Sequence, residues 1–365
     1  MGWAAGDEGD ATSFLVHTTD GGRTWSALPA PPVYLATGGE LRFVDAQHGW
    51  LRASVLLPGY GGGCSPPSTA PPECRSVIFR TNDGGRTWQE QLSFDQPSKL
   101  GPGLRALTVL DDRHAWAVRL SGNSALCTPF DCAIGVVGTT DGVTWAQLGD
   151  LPAFVDGLDF VDAQTGFGSV HTAKNEPGTP TNTASIVATH DGGATWSALL
   201  RVDGRGPRFY VDFLDTRNGF AVQLDTATCN GSDCWLYSLR RTSDGGQTWD
   251  TVQQQPQTAL GGWWSPRGNF AWLGTPTFTS AAVGWIPISM DVPLGYVNGG
   301  MLSTSDGGHS WRRIPLAPEG WQTRDLAARG STGWVVGQRG SDQASFIARS
   351  DNGGTTWDYV LLAQR

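Results

Sequence analysis

Lysine is almost missing from this chain. Only Lys99 and Lys174 occur, so 23 of the 25 basic residues are arginine. With abundant Ala, Gly and Pro, that bias is read as the mark of a GC-rich genome rather than of function. Charge of either sign is scarce: 16% of the 365 residues are Asp, Glu, Lys or Arg, and the net charge is −9. No basic run or stripe occurs, which argues against nucleic acid or an anionic membrane surface as the main partner. No run of about 18 apolar residues occurs, so no segment reads as a membrane-spanning helix. The opening Met1-Gly2-Trp3-Ala4-Ala5-Gly6-Asp7-Glu8 has no signal-peptide apolar core. Also missing are a Gly-Lys-Ser/Thr phosphate loop, a His-Glu-x-x-His helix and a Gly-x-Ser-x-Gly elbow. No cofactor and no metal is expected.

What is present points one way. Fifty Gly and 22 Pro exclude a fold of long helices, because both weaken helix interiors. Seventeen Trp and 14 Phe exclude wholesale disorder. Many short strands joined by many turns satisfy both constraints.

One phrase recurs along the whole chain. It reads Thr18-Thr-Asp20-Gly-Gly22-Arg-Thr24-Trp25, and its copies end at Trp88, Trp145, Trp196, Trp249, Trp311 and Trp357. The spacing averages about 55 residues, slightly longer than the usual propeller blade. Five copies are complete, around Asp20, Asp83, Asp191, Asp244 and Asp306; the one at Asp141 is a residue short, and Asn352 replaces Asp in the last. A second phrase lies between these, Leu41-Arg-Phe43-Val-Asp45-Ala-Gln-His-Gly49-Trp50. Its kin are 107–116, 158–167, 211–220 and 276–285, with a shortened form at 326–334. Each period therefore holds four short apolar stretches separated by hairpin turns.

Four antiparallel strands in each of seven periods predict an all-β, seven-bladed β-propeller, a single domain over residues 1–365. The blades fall near 1–32, 33–97, 98–152, 153–203, 204–257, 258–318 and 319–365. Nothing precedes Gly2-Trp3 to supply the first blade's inner strand, and the C-terminus is used as the last outer strand. The expectation is a first blade lacking its inner strand, in a chain that starts inside a longer protein whose export signal lies upstream.

The repeated octet resembles the Asp-box, or BNR repeat. Such boxes occur in sialidases, two-propeller xyloglucan hydrolases and sortilin-type receptors. With Gly2-Trp3-Ala4-Ala5-Gly6 in front, the pattern looks most like the photosystem II stability/assembly-factor propeller family. The resemblance implies the fold; it implies little about activity, since fold does not dictate chemistry. The box reads as a folding staple. Its Asp accepts backbone N–H groups of its own turn, its Gly takes positive φ, and its Trp buries a large ring.

The six cysteines come in three local pairs, Cys64/Cys74, Cys127/Cys132 and Cys229/Cys234, each between the second and third strands of a blade. They read as disulfides pinning surface loops, and hence as a mark of an extracytoplasmic protein. Two Cys per loop fall short of a structural zinc site.

The long insertions gather on the face opposite the boxes, which makes it the default binding surface. Four tryptophans outside both phrases, Trp263, Trp264, Trp272 and Trp321, lie on connections leading to that face. They either pack the long loops or form an aromatic platform for a sugar ring or a partner. Arg105, Arg208 and Arg324 lie near the starts of inner strands and are candidate carboxylate binders. An enzyme reading has less support. A sialidase would need an Arg-Ile-Pro ahead of its first box, whereas Arg313-Ile314-Pro315 follows the sixth. Tyr210, near Arg208, lacks a neighbouring Glu. For a two-carboxylate glycosidase the candidates are Asp156 and Asp325, which begin inner strands and would have to stand about 5–9.5 Å apart. The reading is thus a non-catalytic, exported, monomeric propeller binding protein or glycan on its loop face. An Asp-box glycoside hydrolase is the alternative, and a scaffold for membrane-complex assembly is a third possibility.

Overall fold

The computed structural model describes residues 1–7, 13–29, 39–56, 74–95, 103–121, 133–172, 182–204, 206–229, 232–256, 271–291, 297–315, 321–339 and 345–361. They form strands and turns, with no helix among the described residues. The strands assemble into seven sheets, the blades of an all-β propeller. The first blade has three strands, Gly2–Asp7, Ser13–Thr18 and Ser26–Leu28, paired in that order. The expected inner strand is the one it lacks among the described residues.

Each later blade pairs its strands in chain order. The sixth departs in detail. Its first strand is broken into Ala271–Leu273 and Thr277–Phe278, both paired with Gly284–Asp291. Pro276 lies in the break and has no N–H to give a ladder. The Gly274 N–H donates to the Pro287 carbonyl at 2.8 Å beside it. Cα packing divides the chain into two units, residues 1–173 with 187–197, and residues 174–186 with 198–365.

The Asp-boxes are built as their chemistry demands. Asp244 Oδ1 accepts the Thr248 N–H at 3.0 Å and the Thr242 hydroxyl at 2.8 Å, and Oδ2 accepts the Thr248 hydroxyl at 2.6 Å. Gly245 and Gly246 sit at φ of 76° and 83°, where a side chain would be strained. The Trp249 indole N–H closes the turn on the Gly246 carbonyl at 3.0 Å. Asn352 keeps this geometry with one donor reversed: its Nδ2 donates to the Thr356 hydroxyl at 2.9 Å.

Packing between blades uses the second phrase. Trp3 stacks on Phe43 of the next blade at 3.8 Å, and Trp116 on Phe160 at 3.8 Å. In the other unit Phe220 stacks on Phe278 at 3.6 Å. Each of these Phe rings also meets its own blade's box Trp edge-on: Phe43 with Trp88, Phe160 with Trp196, Phe278 with Trp311. The glycine of Gly-Trp/Phe is needed because the Phe ring lies over it. A Cβ on Gly49, Gly166, Gly219 or Gly284 would come within 3.0 Å of that ring. Among the described residues the fully buried tryptophans are accordingly Trp50, Trp116 and Trp285 of Gly-Trp, while the box tryptophans are half-buried.

Candidate functional site

The strands Glu40–Phe43, Leu104–Val109 and Phe154–Phe160 open the second, third and fourth blades. They belong to one unit and bring five charged or titratable side chains together. Glu40 faces Arg52 across the ladder of the second blade. Arg52 is 3% exposed, and its Nε donates to Glu40 Oε2 at 3.1 Å. Its Nη1 donates to the Leu104 carbonyl at 3.1 Å, while the Leu107 N–H donates to the same Glu40 Oε2 at 2.6 Å. This ion pair therefore clasps the neighbouring blade's first strand at two points.

Between those points the strand is irregular. Pairing jumps from Arg105–Val118 to Thr108–Trp116. Ala106 sits at φ 53°, the one non-glycine in the left-handed region among the described residues. Such a conformation costs on the order of 1 kcal/mol and persists only where its surroundings impose it. The clasp on Leu104 and Leu107 is that imposition. Arg105 is half-buried. Burial lowers its pKa, the Arg52 charge lowers it further, and Glu40 and Asp156 act in the opposite sense.

Asp156 is the extra residue of a second bulge, between Val155 and Gly157. Bulges re-aim a side chain that regular pairing would place elsewhere. Asp156 Oδ2 meets His171 Nδ1 at 2.8 Å, both side chains being about 15% exposed, at 16% and 14%. A carboxylate that accepts this bond makes Nδ1 its donor and turns Nε2 away from Asp156. Phe154 lies beside the imidazole, with ring centroids 5.7 Å apart. The cluster offers alternating donors and acceptors, and its two arginines balance its two carboxylates.

The expected residues divide between this place and others. Arg105 and Asp156 share the cluster. Arg208 opens the strand Arg208–Phe213 in the other unit, where its Nη1 donates to the Pro207 carbonyl at 3.0 Å. Arg324 is the extra residue of a third bulge, between Thr323 and Asp325 of Trp321–Arg329. The side chains of Arg324, Asp325, Trp321 and Trp272 lie outside the described residues, as do Trp263 and Trp264 entirely. So do Cys64, Cys127 and Cys132 and the side chains of Cys74, Cys229 and Cys234. On the backbone, Cys229 pairs with Ser232 and Cys234 with Ala227 in one hairpin. Sequence reasoning missed Glu40, Arg52 and His171. Arg52 left a signal, a charge inside the otherwise apolar Gly49–Leu56.

No family model and no curated protein matches this chain. Solved structures do. A polysaccharide lyase of family PL25, an ulvan lyase bound to -[GlcA(1-4)Rha3S]-, is similar with a TM-score of 0.54 at 10% identity, over 87% of this chain and 82% of that one. The GH74 xyloglucanase from Xanthomonas campestris is similar with a TM-score of 0.50 at 14% identity, over 85% of this chain. The chain spans about half the length of that enzyme, 47%. YCF48 from Cyanidioschyzon merolae matches at 16% identity over 82% of this chain and 92% of that one, with a TM-score of 0.38. The first two likenesses, at identities this low, support a shared propeller fold and say nothing of chemistry.

Proposed function

We propose that this chain is a non-catalytic, exported glycan-binding propeller of the Asp-box type, most like the photosystem II stability/assembly-factor propellers. Its ligand reaches the first-strand cluster from the loop face. The observation that carries the reading is the charge-balanced set Glu40, Arg52, Arg105, Asp156 and His171, of which Arg105 and Asp156 stand on two bulged strands. A sugar hydroxyl both donates and accepts, so it suits a site that alternates the two. A balanced site exerts little long-range pull on ions, so binding of a neutral glycan should change little with salt. Glu40 Oε2 is occupied by Arg52 and the Leu107 N–H, a positioning duty rather than a reactive one. In the other unit, Trp263, Trp264, Trp272 and Trp321 are proposed as a separate stacking surface with Arg208 and Arg324 as carboxylate binders. The three Cys pairs are proposed as disulfides pinning loops.

The test is a glycan panel scored for both binding and reducing-end release by purified, oxidised protein. Binding of a neutral oligosaccharide, reduced at least tenfold by Arg105→Gln or Asp156→Asn and without product, supports the reading. A blank panel overturns it. Release abolished by Asp156→Asn would make the protein a hydrolase instead.

A further inference from the structure

The third Asp-box, Thr139 to Trp145, is one residue short, and the shortening gathers hydrogen-bond donors that have no acceptor. In a complete box the two glycine carbonyls serve two indoles. The first accepts the Gly-Trp indole of the preceding blade, Trp3 on Gly84 and Trp116 on Gly192, each at 2.9 Å. The second accepts the box's own indole, Trp88 on Gly85 at 3.2 Å and Trp196 on Gly193 at 3.1 Å. In the short box Gly142 stands for both glycines. Its φ of 75° and its place over the Asp112 carbonyl match Gly84, at 76° over the Ala46 carbonyl. Its N–H nevertheless donates to the Thr139 hydroxyl at 3.0 Å, the bond that Gly85 makes to Thr81. Neither Trp50 of the preceding blade nor Trp145 of this box finds an acceptor among the described residues. Trp285 is also unpaired, but there the facing box keeps both glycines and Trp357 keeps the Gly354 carbonyl at 3.1 Å. Both indoles are stranded together at the second and third blades.

We propose that the joint between the second and third blades binds one monatomic anion, chloride, on the N–H groups of Trp50 Nε1, Trp145 Nε1 and Arg80 Nε. All three nitrogens are buried, and none has an acceptor among the described residues. They belong to one place. Trp50, itself fully buried, pairs with Arg80 across the ladder, which puts the two side chains on one face. Arg80 Cζ lies 5.3 Å from the centre of the Trp50 ring, and the Trp50 and Trp145 rings meet at 5.8 Å. Arg80 is anchored from its far end, where Nη2 donates to the Asp112 carbonyl at 2.9 Å. The box carboxylate does not compete for these donors. Asp141 is exposed and accepts within its own turn, from the Thr139 hydroxyl at 3.0 Å and the N–H groups of Val143 and Thr144 at 2.8 and 2.7 Å. Donors alone, one of them cationic, suit an acceptor that carries negative charge. What the short box has lost is a single peptide carbonyl, so the occupant is a single atom rather than an ion of sulfate size. Buried donors left unmet are costly, so an ion that satisfies them binds the folded chain and stabilises it. The site is distinct from the glycan reading, although Trp50 and Arg52 share the strand Gly49–Leu56.

The probe is sodium chloride, exchanged for sodium gluconate at fixed ionic strength and pH, with the thermal midpoint of the whole chain as readout. A saturable rise of about 2 °C or more is expected, as for a ligand that binds only the folded state. The rise should vanish in Trp50→Phe, which removes one donor. It should also vanish when one glycine is inserted after Gly142, which restores Asp-Gly-Gly-Val-Thr-Trp and its second carbonyl. Because either variant can disturb the joint, a second measurement uses the unaltered chain crystallised from sodium bromide. An anomalous bromide peak beside Trp50 Nε1 is expected. No saturable rise, an equal rise in all three chains, or a water oxygen in place of bromide at the joint would each overturn the proposal.

Discussion

Phe160 and Gly166 should be energetically inseparable. Phe160 is 6% exposed, stacked on Trp116 at 3.8 Å and edge-on to Trp196 at 5.9 Å. Truncation to Ala removes a buried ring from a packed joint and should cost about 3–5 kcal/mol. Gly166→Ala alone places a methyl 2.7 Å from two atoms of the Phe160 ring, closer than real Cβ contacts come. Overpacking of that kind costs roughly 1–3 kcal/mol, against a backbone-entropy gain of about 0.5–1 kcal/mol. In the Phe160→Ala background the clash has no partner, and Gly166→Ala should become neutral or mildly stabilising. The double mutant should therefore be less destabilised than the sum of the singles by about 1–3 kcal/mol. Equilibrium urea unfolding of all four proteins, followed by far-UV circular dichroism, measures this. Additivity to within about 0.5 kcal/mol, the scatter of independent sites, would refute the claim that the ring dictates the glycine.

Three further outcomes are expected. Hydroxyl and then backbone N–H donors of Thr195, Thr248 and Ser310 hold Asp191, Asp244 and Asp306 at about 2. Because folding lowers these pKa values, their stabilisation is complete above the ordinary carboxyl value near 4 and is lost as pH falls through about 2. The thermal midpoint should thus be flat down to about pH 4 and fall below it. Asn352→Asp should add to that acid slope; a profile that begins to fall near pH 6 would point to histidines instead. Arg52→Met strands Glu40 beside Leu107; with Glu40 still 26% exposed, the loss should be near the low end for broken buried pairs, about 3 kcal/mol. Adding Glu40→Gln should recover part of that loss in the same unfolding assay, and no recovery would count against the clasp. Ala106→Gly should be neutral or stabilising by up to about 1 kcal/mol, whereas Ala106→Val should cost more than about 2, because β-branching makes positive φ a true outlier. A destabilising glycine would mean that the left-handed turn is not strained.

Fold was legible because the repeats encode it locally. Each Asp-box closes within eight residues, and the Phe–Gly pair within about seven, so a linear reading finds all their parts. The three-stranded first blade could be counted for the same reason. The broken first strand of the sixth blade was not visible, since Pro276-Thr-Phe278 fits the pattern of its kin and only the missing proline N–H interrupts the ladder. The charged cluster was half visible. Arg105 and Asp156 stand at strand starts, but Glu40 and Leu107 are 67 residues apart and meet only through the packing of two blades. His171 meets Asp156 across a bulge that shifts the register at Asp156, and no pattern in the sequence announces that extra residue.

The clasp stands at one of the joints where the repeat has decayed. Trp3 and Trp116 tie their indole N–H groups to the next blade's box, on the carbonyls of Gly84 and Gly192, each at 2.9 Å. Trp50 faces the shortened box at Asp141, and the buried N–H groups of both Trp50 and Trp145 find no acceptor among the described residues. The third blade also has Val109 where the second, fourth, fifth and sixth have Phe, so Trp50 meets Trp145 edge-on at 5.8 Å instead of stacking. Arg80 covers part of the deficit, lying 5.3 Å over the Trp50 ring and donating to the Asp112 carbonyl at 2.9 Å. Two unpaired buried donors cost roughly 1–3 kcal/mol each, more than a single cation–π contact returns. Two residues beyond Trp50 on the same strand, Arg52 with its partner Glu40 adds bonds to the backbone of Leu104 and Leu107. Those bonds offset the lost staple, and they bracket Ala106 in the left-handed region next to Arg105, whose charge feels Asp156. A weakened box joint and a charged joint thus meet on the same two blades, and the charged one carries the candidate site.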